Sequence, residues 1–239
     1  MTSISVSSST STPTQPVSFL NRLANGIQCH WLLLLNVFFG VYVITPFFAP
    51  VFMHLGALMP ANLIYTIYST QCHQLPERSY FLFGQQLTYG LAEITAVHPG
   101  TNALILRQFI GTPQMGWKVA WSDRMISLYT SMFFASLAYA ALRGRMRALP
   151  VVIAVVLVLP MALDGGTHFI SDLWGIGRGF RDSNDWLRML TGAALPSGFY
   201  AGDGWGSFNS FMRLVTGVLA GYGITWLVLP RVDSWMPKS

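Results

Sequence analysis

The feature that most restricts this chain is a run of about twenty-five mostly apolar residues, 31–55, which as a helix can cross the roughly 30 Å of a bilayer's hydrocarbon core. Further apolar runs follow at about 125–142, 150–164 and 214–229. Only 10% of the residues are charged and mean hydropathy is +0.47, whereas a soluble domain carries roughly a quarter charged residues, so lipid rather than water is the main solvent. The expected fold is therefore all-α: an integral membrane bundle of about four transmembrane helices in a single membrane domain spanning residues 29–231.

Between these runs lie segments of other kinds. Residues 1–28 read as a cytoplasmic tail, its first sixteen residues rich in Ser and Thr with little to bury, and residues 232–239 as a second tail. The start lacks the positive charge, short apolar stretch and cleavage site of a secretory signal, so the first run reads as an uncleaved span, kinked by Pro46 and Pro50. Residues 57–68 are apolar but too short to cross, which marks a re-entrant or interfacial helix. Two polar segments of about fifty residues each, 70–123 and the stretch after Asp164, are expected to fold over the outer end of the bundle. Gly-rich TGVLAGYG, residues 216–223, suits close helix contact.

Charge gives an orientation. With a cytoplasmic amino terminus the inner side holds Arg22, Arg143, Arg145, Arg147, Arg231 and Lys238 against Asp233 alone, and the outer side holds the remaining basic and acidic residues in equal number. All of the net charge then sits inside, as the positive-inside rule expects, placing the protein in the cell membrane with both termini cytoplasmic. Cys29 and Cys72 flank the first span and so stand on opposite sides, where no disulfide can join them. No basic cluster interleaved with stacking aromatics is present, so the basic balance points to a membrane and away from nucleic acid.

Under this topology the chemically interesting residues collect at the outer side. Asp164 ends an apolar span, a costly place for a carboxylate unless it is solvated, paired or bound to a cation. If the helix continues past Gly165-Gly166, Asp164 and His168 share one face; if the glycines break it, the chain turns there. Together with His73, these residues are the candidate metal ligands, and a divalent metal is the cofactor they would take. Arg78 is suited to bidentate contact with a carboxylate or a phosphate. Lys118 and Arg124 bracket Trp117 and Trp121; they read either as snorkelling anchors or as a cationic pocket for an anionic headgroup. Two echoing phrases, WLRMLTG at 186–192 and FMRLVTG at 211–217, read as amphipathic helix starts with Arg188 and Arg213 at the interface, or else as paired anion-binding ends. His30, His54 and His98 read as interfacial.

The phrases CHQLPERSYFLFG, GWKVAWSDRMISLY, LPMALDGGTHF and RDSNDWLRMLTG occur in this order between residues 71 and 192. In them the chain resembles a family of uncharacterised bacterial and archaeal multispan membrane proteins, with a Cys-His-Gln-x-Pro-x-Arg-Ser motif, a Lys-x-Ala-x-Cys-x-Arg motif and a Pro-Met-x-x-Asp-Gly-x-Thr-Gln motif. The resemblance implies a fold, a location and key positions, and no activity. This chain has Ser122 where the family has its second cysteine and His168 where it has glutamine. The first difference removes a thiolate pair with Cys72; the second puts a titratable imidazole in place of an amide.

Three functions are compatible with this pattern. The leading one is an outward-facing site for an anionic lipid or isoprenoid phosphate. There Arg78, Lys118, Arg124 and Arg188 neutralise the head, and Asp164 and His168 serve as catalytic acid and base or as metal ligands. The second is a non-enzymatic assembly or pigment-binding subunit whose partners are other membrane subunits. The third is a small transporter, disfavoured because the spans carry few charges.

Overall fold

The computed structural model describes residues 19–100 and 102–236; the expected tail over residues 1–18, and Lys238, lie outside them. In chain order the elements are α1 (Phe19–His54), α2 (Leu58–Ser69), a 3-10 turn (Pro76–Arg78) and β1 (Ser79–Leu82). Then come α3 (Leu91–Val97), α4 (Ala103–Leu106), β2 (Gly111–Thr112), β3 (Gly116–Ser122), α5 (Asp123–Ala141) and α6 (Val151–Asp172). The short helices α7 (Phe180–Ser183), α8 (Asp185–Leu190) and α9 (Ser197–Tyr200) precede α10 (Phe208–Trp235).

Among the described residues three helices are long and apolar enough to cross a membrane: α1, α6 and α10. The fourth expected span, α5, has 19 residues but is less apolar, because its buried face carries Ser127, Ser131 and Ser136. Those hydroxyls are used for packing. Ser127 Oγ donates to Arg213 O (3.0 Å) and Ser136 Oγ to Asn36 Oδ1 (2.5 Å). Opposite them, a Cβ on Gly217 or Gly221 would come within 2.0 or 1.9 Å of the Ser127 or Ser131 hydroxyl, so α10 lies against α5 only because these positions are glycine.

The helices run further than the apolar runs suggest. α1 begins at Phe19 and passes through Pro46 and Pro50, and α6 continues through Gly165-Gly166 to Asp172. α10 passes through Pro230, where the last span was expected to stop. A proline inside a helix leaves the carbonyl four residues earlier without its donor. For Pro230 that carbonyl is Trp226 O, which accepts from Leu149 N (3.3 Å) in the α5–α6 connection. For Pro46 it is Tyr42 O, which accepts from the Tyr68 hydroxyl (2.8 Å) of α2. At Pro46 and Pro230 a neighbouring segment supplies the missing donor.

The all-α expectation is corrected in one place. Residues within the first polar segment form a three-stranded sheet of order β1-β3-β2, antiparallel throughout, with Ser79 opposite Ser122, Phe81 opposite Lys118 and Gly111 opposite Trp117. β3 is buried along most of its length, with Val119, Ala120 and Trp121 fully enclosed, so it lacks the in-out alternation that marks a half-exposed strand. α2 folds back along α1, and both pack against this sheet. The short helix expected at 57–68 is thus present as half of a hairpin on α1. Leu32, Tyr139 and Leu229 meet at the opposite end, so the beginning of α1, the α5–α6 connection and the end of α10 lie together there.

Candidate functional site

β3 leads directly into α5, which places Asp123 and Arg124 at the head of the bundle. The unbroken course of α6 puts Asp164 and His168 on one face, Nε2 to Oδ1 at 3.9 Å. From Pro150 to Asp164 is about 21 Å of helix rise, and Arg181 of the following loop segment reaches back to this level.

Four arginines and four aspartates join there. Arg78 grips Asp172 with both terminal nitrogens (2.7 Å each) and donates from Nε to Asp203 (2.8 Å). Arg213, 1% exposed, donates from Nε to both oxygens of Asp123 (2.8 Å) and from Nη1 to Asp203 (2.6 Å). Arg124 and Arg181 each donate to one oxygen of Asp164 at 2.7 Å. Gly165 makes room for this, since a Cβ there would stand 2.9 Å from Arg124 Nη1. Burial pushes the Asp203 carboxyl up, but Arg78 and Arg213 outweigh it and hold Asp203 well below the usual carboxylate range.

The charges balance overall and not locally. Arg124 and Arg181 share the single Asp164, which leaves one positive charge over; Arg78 and Arg213 face Asp123, Asp172 and Asp203, which leaves one negative charge over. Both sides border a cavity of about 380 Å³: Arg124 and His168 line it together with Arg78, Asp172 and Arg213, its polar wall also includes Cys72 and His73, and its apolar wall includes Met125, Phe169 and Ile176.

Two buried polar atoms of residues that line the cavity have no protein partner among the described residues: Arg124 Nε and His168 Nδ1. Arg181 Nη2 lies 3.1 Å from His168 Nε2, and a guanidinium can only donate. His168 Nε2 is therefore the acceptor and the ring's proton sits on Nδ1. Both orphaned atoms are N–H donors that lack an acceptor among the described residues.

The other expected site residues are placed as follows. His73 is exposed at the cavity, and among the described residues no three His, Cys, Asp or Glu side chains are grouped to hold a metal. Lys118 neither snorkels nor lines the cavity. Fully buried on β3, it donates to Gln74 O (2.7 Å) and Arg107 O (2.8 Å), tying two loops to the sheet, and burial pushes its pKa down to about 7. Trp121, expected at an interface, is likewise fully buried. Arg188 lies exposed on α8 outside the network. Cys72 Sγ is 3.4 Å from Ser122 Oγ, so the position where the resembled family has its second cysteine does face Cys72. His54 stacks on Phe83 and His98 bonds Ile105 O (3.1 Å), both away from the cavity. Arg181 and Asp203 come from the second polar segment and were not singled out as binding groups by sequence; nothing local distinguishes them from other loop charges.

One buried acid stands apart. Glu77, 3% exposed, has no hydrogen-bond partner for either oxygen among the described residues, and burial raises its pKa to about 7 against the opposing pull of Arg78.

A family model matches residues 114–202. It describes a predicted membrane protein family (DUF2085), and the matched stretch runs from β3 through α5 and α6 to the α7–α9 segment, which carries five of the eight network residues. The chain is also similar to an uncharacterized protein of Methanocaldococcus jannaschii, 24% identical over 169 residues, covering 68% of this chain and 83% of that protein. No solved structure matches. The matched family is one of predicted membrane proteins, in keeping with the long apolar helices of this chain.

Proposed function

We propose that the protein binds, at the end of the bundle away from Arg143, Arg145 and Arg147, the anionic head of a membrane amphiphile such as a phospholipid or isoprenoid phosphate. The carrying observation is the pair of unpartnered donors, Arg124 Nε–H and His168 Nδ1–H, on the side of the network with positive charge to spare. A phosphate or carboxylate oxygen completes both bonds and neutralises that excess. The apolar wall of Met125, Phe169 and Ile176 receives the chain.

The reading is of binding without turnover. Both oxygens of Asp164 hold guanidinium groups and Asp164 does not line the cavity, so its part is to position Arg124 and Arg181. With α5 counted as a crossing beside α1, α6 and α10, the site faces outward and the arginine-rich end inward, in keeping with the positive-inside rule.

The test is binding of phosphatidic acid against phosphatidylcholine with identical chains, added to the purified protein in a maltoside detergent. Phosphatidic acid should bind preferentially, and Arg124→Gln and His168→Phe should each weaken it about tenfold, the worth of one charge-assisted hydrogen bond. Equal binding of the two lipids, or affinity for phosphatidic acid unmoved by both variants, removes the proposal.

A further inference from the structure

At the far end of the bundle, α1, α5 and α10 leave a second cavity of about 500 Å³ between them. Its floor is Ser136, Thr225 and Leu229; its outer lip is Leu34 and Phe38, both well exposed on the face that α1 turns to lipid. The lining is almost wholly apolar, its polar groups being the Ser136 and Thr225 hydroxyls and the Trp31 indole N–H, which has no hydrogen-bond partner among the described residues. Thr225 is buried on the floor, and its hydroxyl has no partner among the described residues, although a helical threonine ordinarily bonds a carbonyl one turn back. The neighbouring Ser136 hydroxyl, by contrast, is satisfied by Asn36 Oδ1 and Phe133 O.

The mouth of this groove, at Ile27 and Val232, opens toward the basic end. Of the charges there, Arg143 is neutralised by Asp233 (2.5 Å), whereas Arg22, Arg145 and Arg147 are exposed and make no ion pair among the described residues. An apolar slot open to the bilayer, a hydroxyl waiting in its floor and unpaired cations beyond its mouth together describe one molecule: an apolar chain, an ester carbonyl and a negative head.

We propose that this groove is a second lipid site, holding one acyl chain of an anionic diacyl phospholipid. The Thr225 hydroxyl donates to an ester carbonyl, and Arg145 and Arg147 meet the headgroup. A neutral phospholipid fills the slot but forgoes the arginines. A transmembrane helix from another protein is the competing occupant; it would supply neither the carbonyl nor the charge.

Native mass spectrometry of the protein released from nanodiscs of mixed phosphatidylglycerol and phosphatidylcholine tests this. One phosphatidylglycerol should remain bound in preference to phosphatidylcholine. Arg145→Gln and Arg147→Gln, both on the surface and harmless to folding, should lower that retention about fivefold each, the effect of one basic residue near a membrane surface. Thr225→Val, which keeps the shape and removes the hydroxyl, should weaken both lipids alike. None of these changes touches Arg124 or His168, so binding at the other cavity should persist in all three variants. Equal retention of the two lipids, indifference to the arginine variants, or a stoichiometric partner polypeptide crosslinked through position 34 would overturn the proposal.

Discussion

The phrases WLRMLTG at 186–192 and FMRLVTG at 211–217 are near copies, yet the structure uses them in opposite ways. In the first, Arg188 projects from α8, a helix of six residues that ends at Leu190 and is capped by Thr191. In the second, Arg213 sits in the opening turns of α10 with its guanidinium enclosed by Asp123 and Asp203. The difference lies outside both phrases. Asp123 is 90 residues away in sequence, delivered by the strand-to-helix junction at Ser122, and Asp203 is held by the loop that precedes α10. A local motif sets which groups are available; only the long-range fold decides whether a charge is solvated or buried with a partner.

The most severe way to break the contrast is Arg213→Met. Removing one member of a buried ion pair leaves the remaining charges uncompensated and costs about 3–5 kcal/mol. Thermal unfolding in detergent should show a large loss of stability or no folded protein at all, and Asp123→Leu in the same chain should recover part of it; a mild effect of Arg213→Met alone would mean that the network is solvated. Glu77 sharpens the same point at one residue's distance from Arg78, since it is buried without a partner. Its pKa is raised from the ordinary 4.5 to about 7. The folded state therefore holds the proton more tightly than the unfolded state, its contribution is fully present below about pH 4.5, and stability falls as pH rises toward 7. Glu77→Gln should abolish that fall and gain on the order of 3 kcal/mol at pH 8, and a parallel pH profile for the two proteins would refute it. The smallest effect belongs to Arg188→Ala, a change on an exposed side chain, which should leave unfolding within about 0.5 kcal/mol of wild type. A larger loss would show that the two arginines are more alike than their surroundings suggest.

Much of this was legible in the sequence because lipid imposes simple rules. Long apolar runs located the main helices, and an aspartate at the end of one of them could be singled out since a carboxylate there needs a partner. The four-residue spacing of Asp164 and His168 was readable once the helix was allowed to continue, and the suitability of Arg78 for a carboxylate is realised in its grip on Asp172. The sheet was not legible, because β3 is enclosed on both faces and β2 has only two residues. Lys118 was misplaced for the same reason. A lysine between tryptophans looks like a membrane anchor, and nothing local reveals that two loop carbonyls await it inside a strand. The end of α10 was missed where Pro230 suggested one, since the donor that rescues the freed Trp226 carbonyl lies in another element.

Pro46 shows how far that rescue reaches. By leaving Tyr42 O open, it gives α1 one acceptor at a fixed height, and Tyr68 is the side chain that finds it. The apolar surfaces of α1 and α2 are greasy enough to slide past each other in several alignments, but only one alignment satisfies that oxygen. What would be a flaw in an isolated helix works here as a notch that sets where the hairpin closes, and through the hairpin the height at which the sheet is offered to the rest of the molecule.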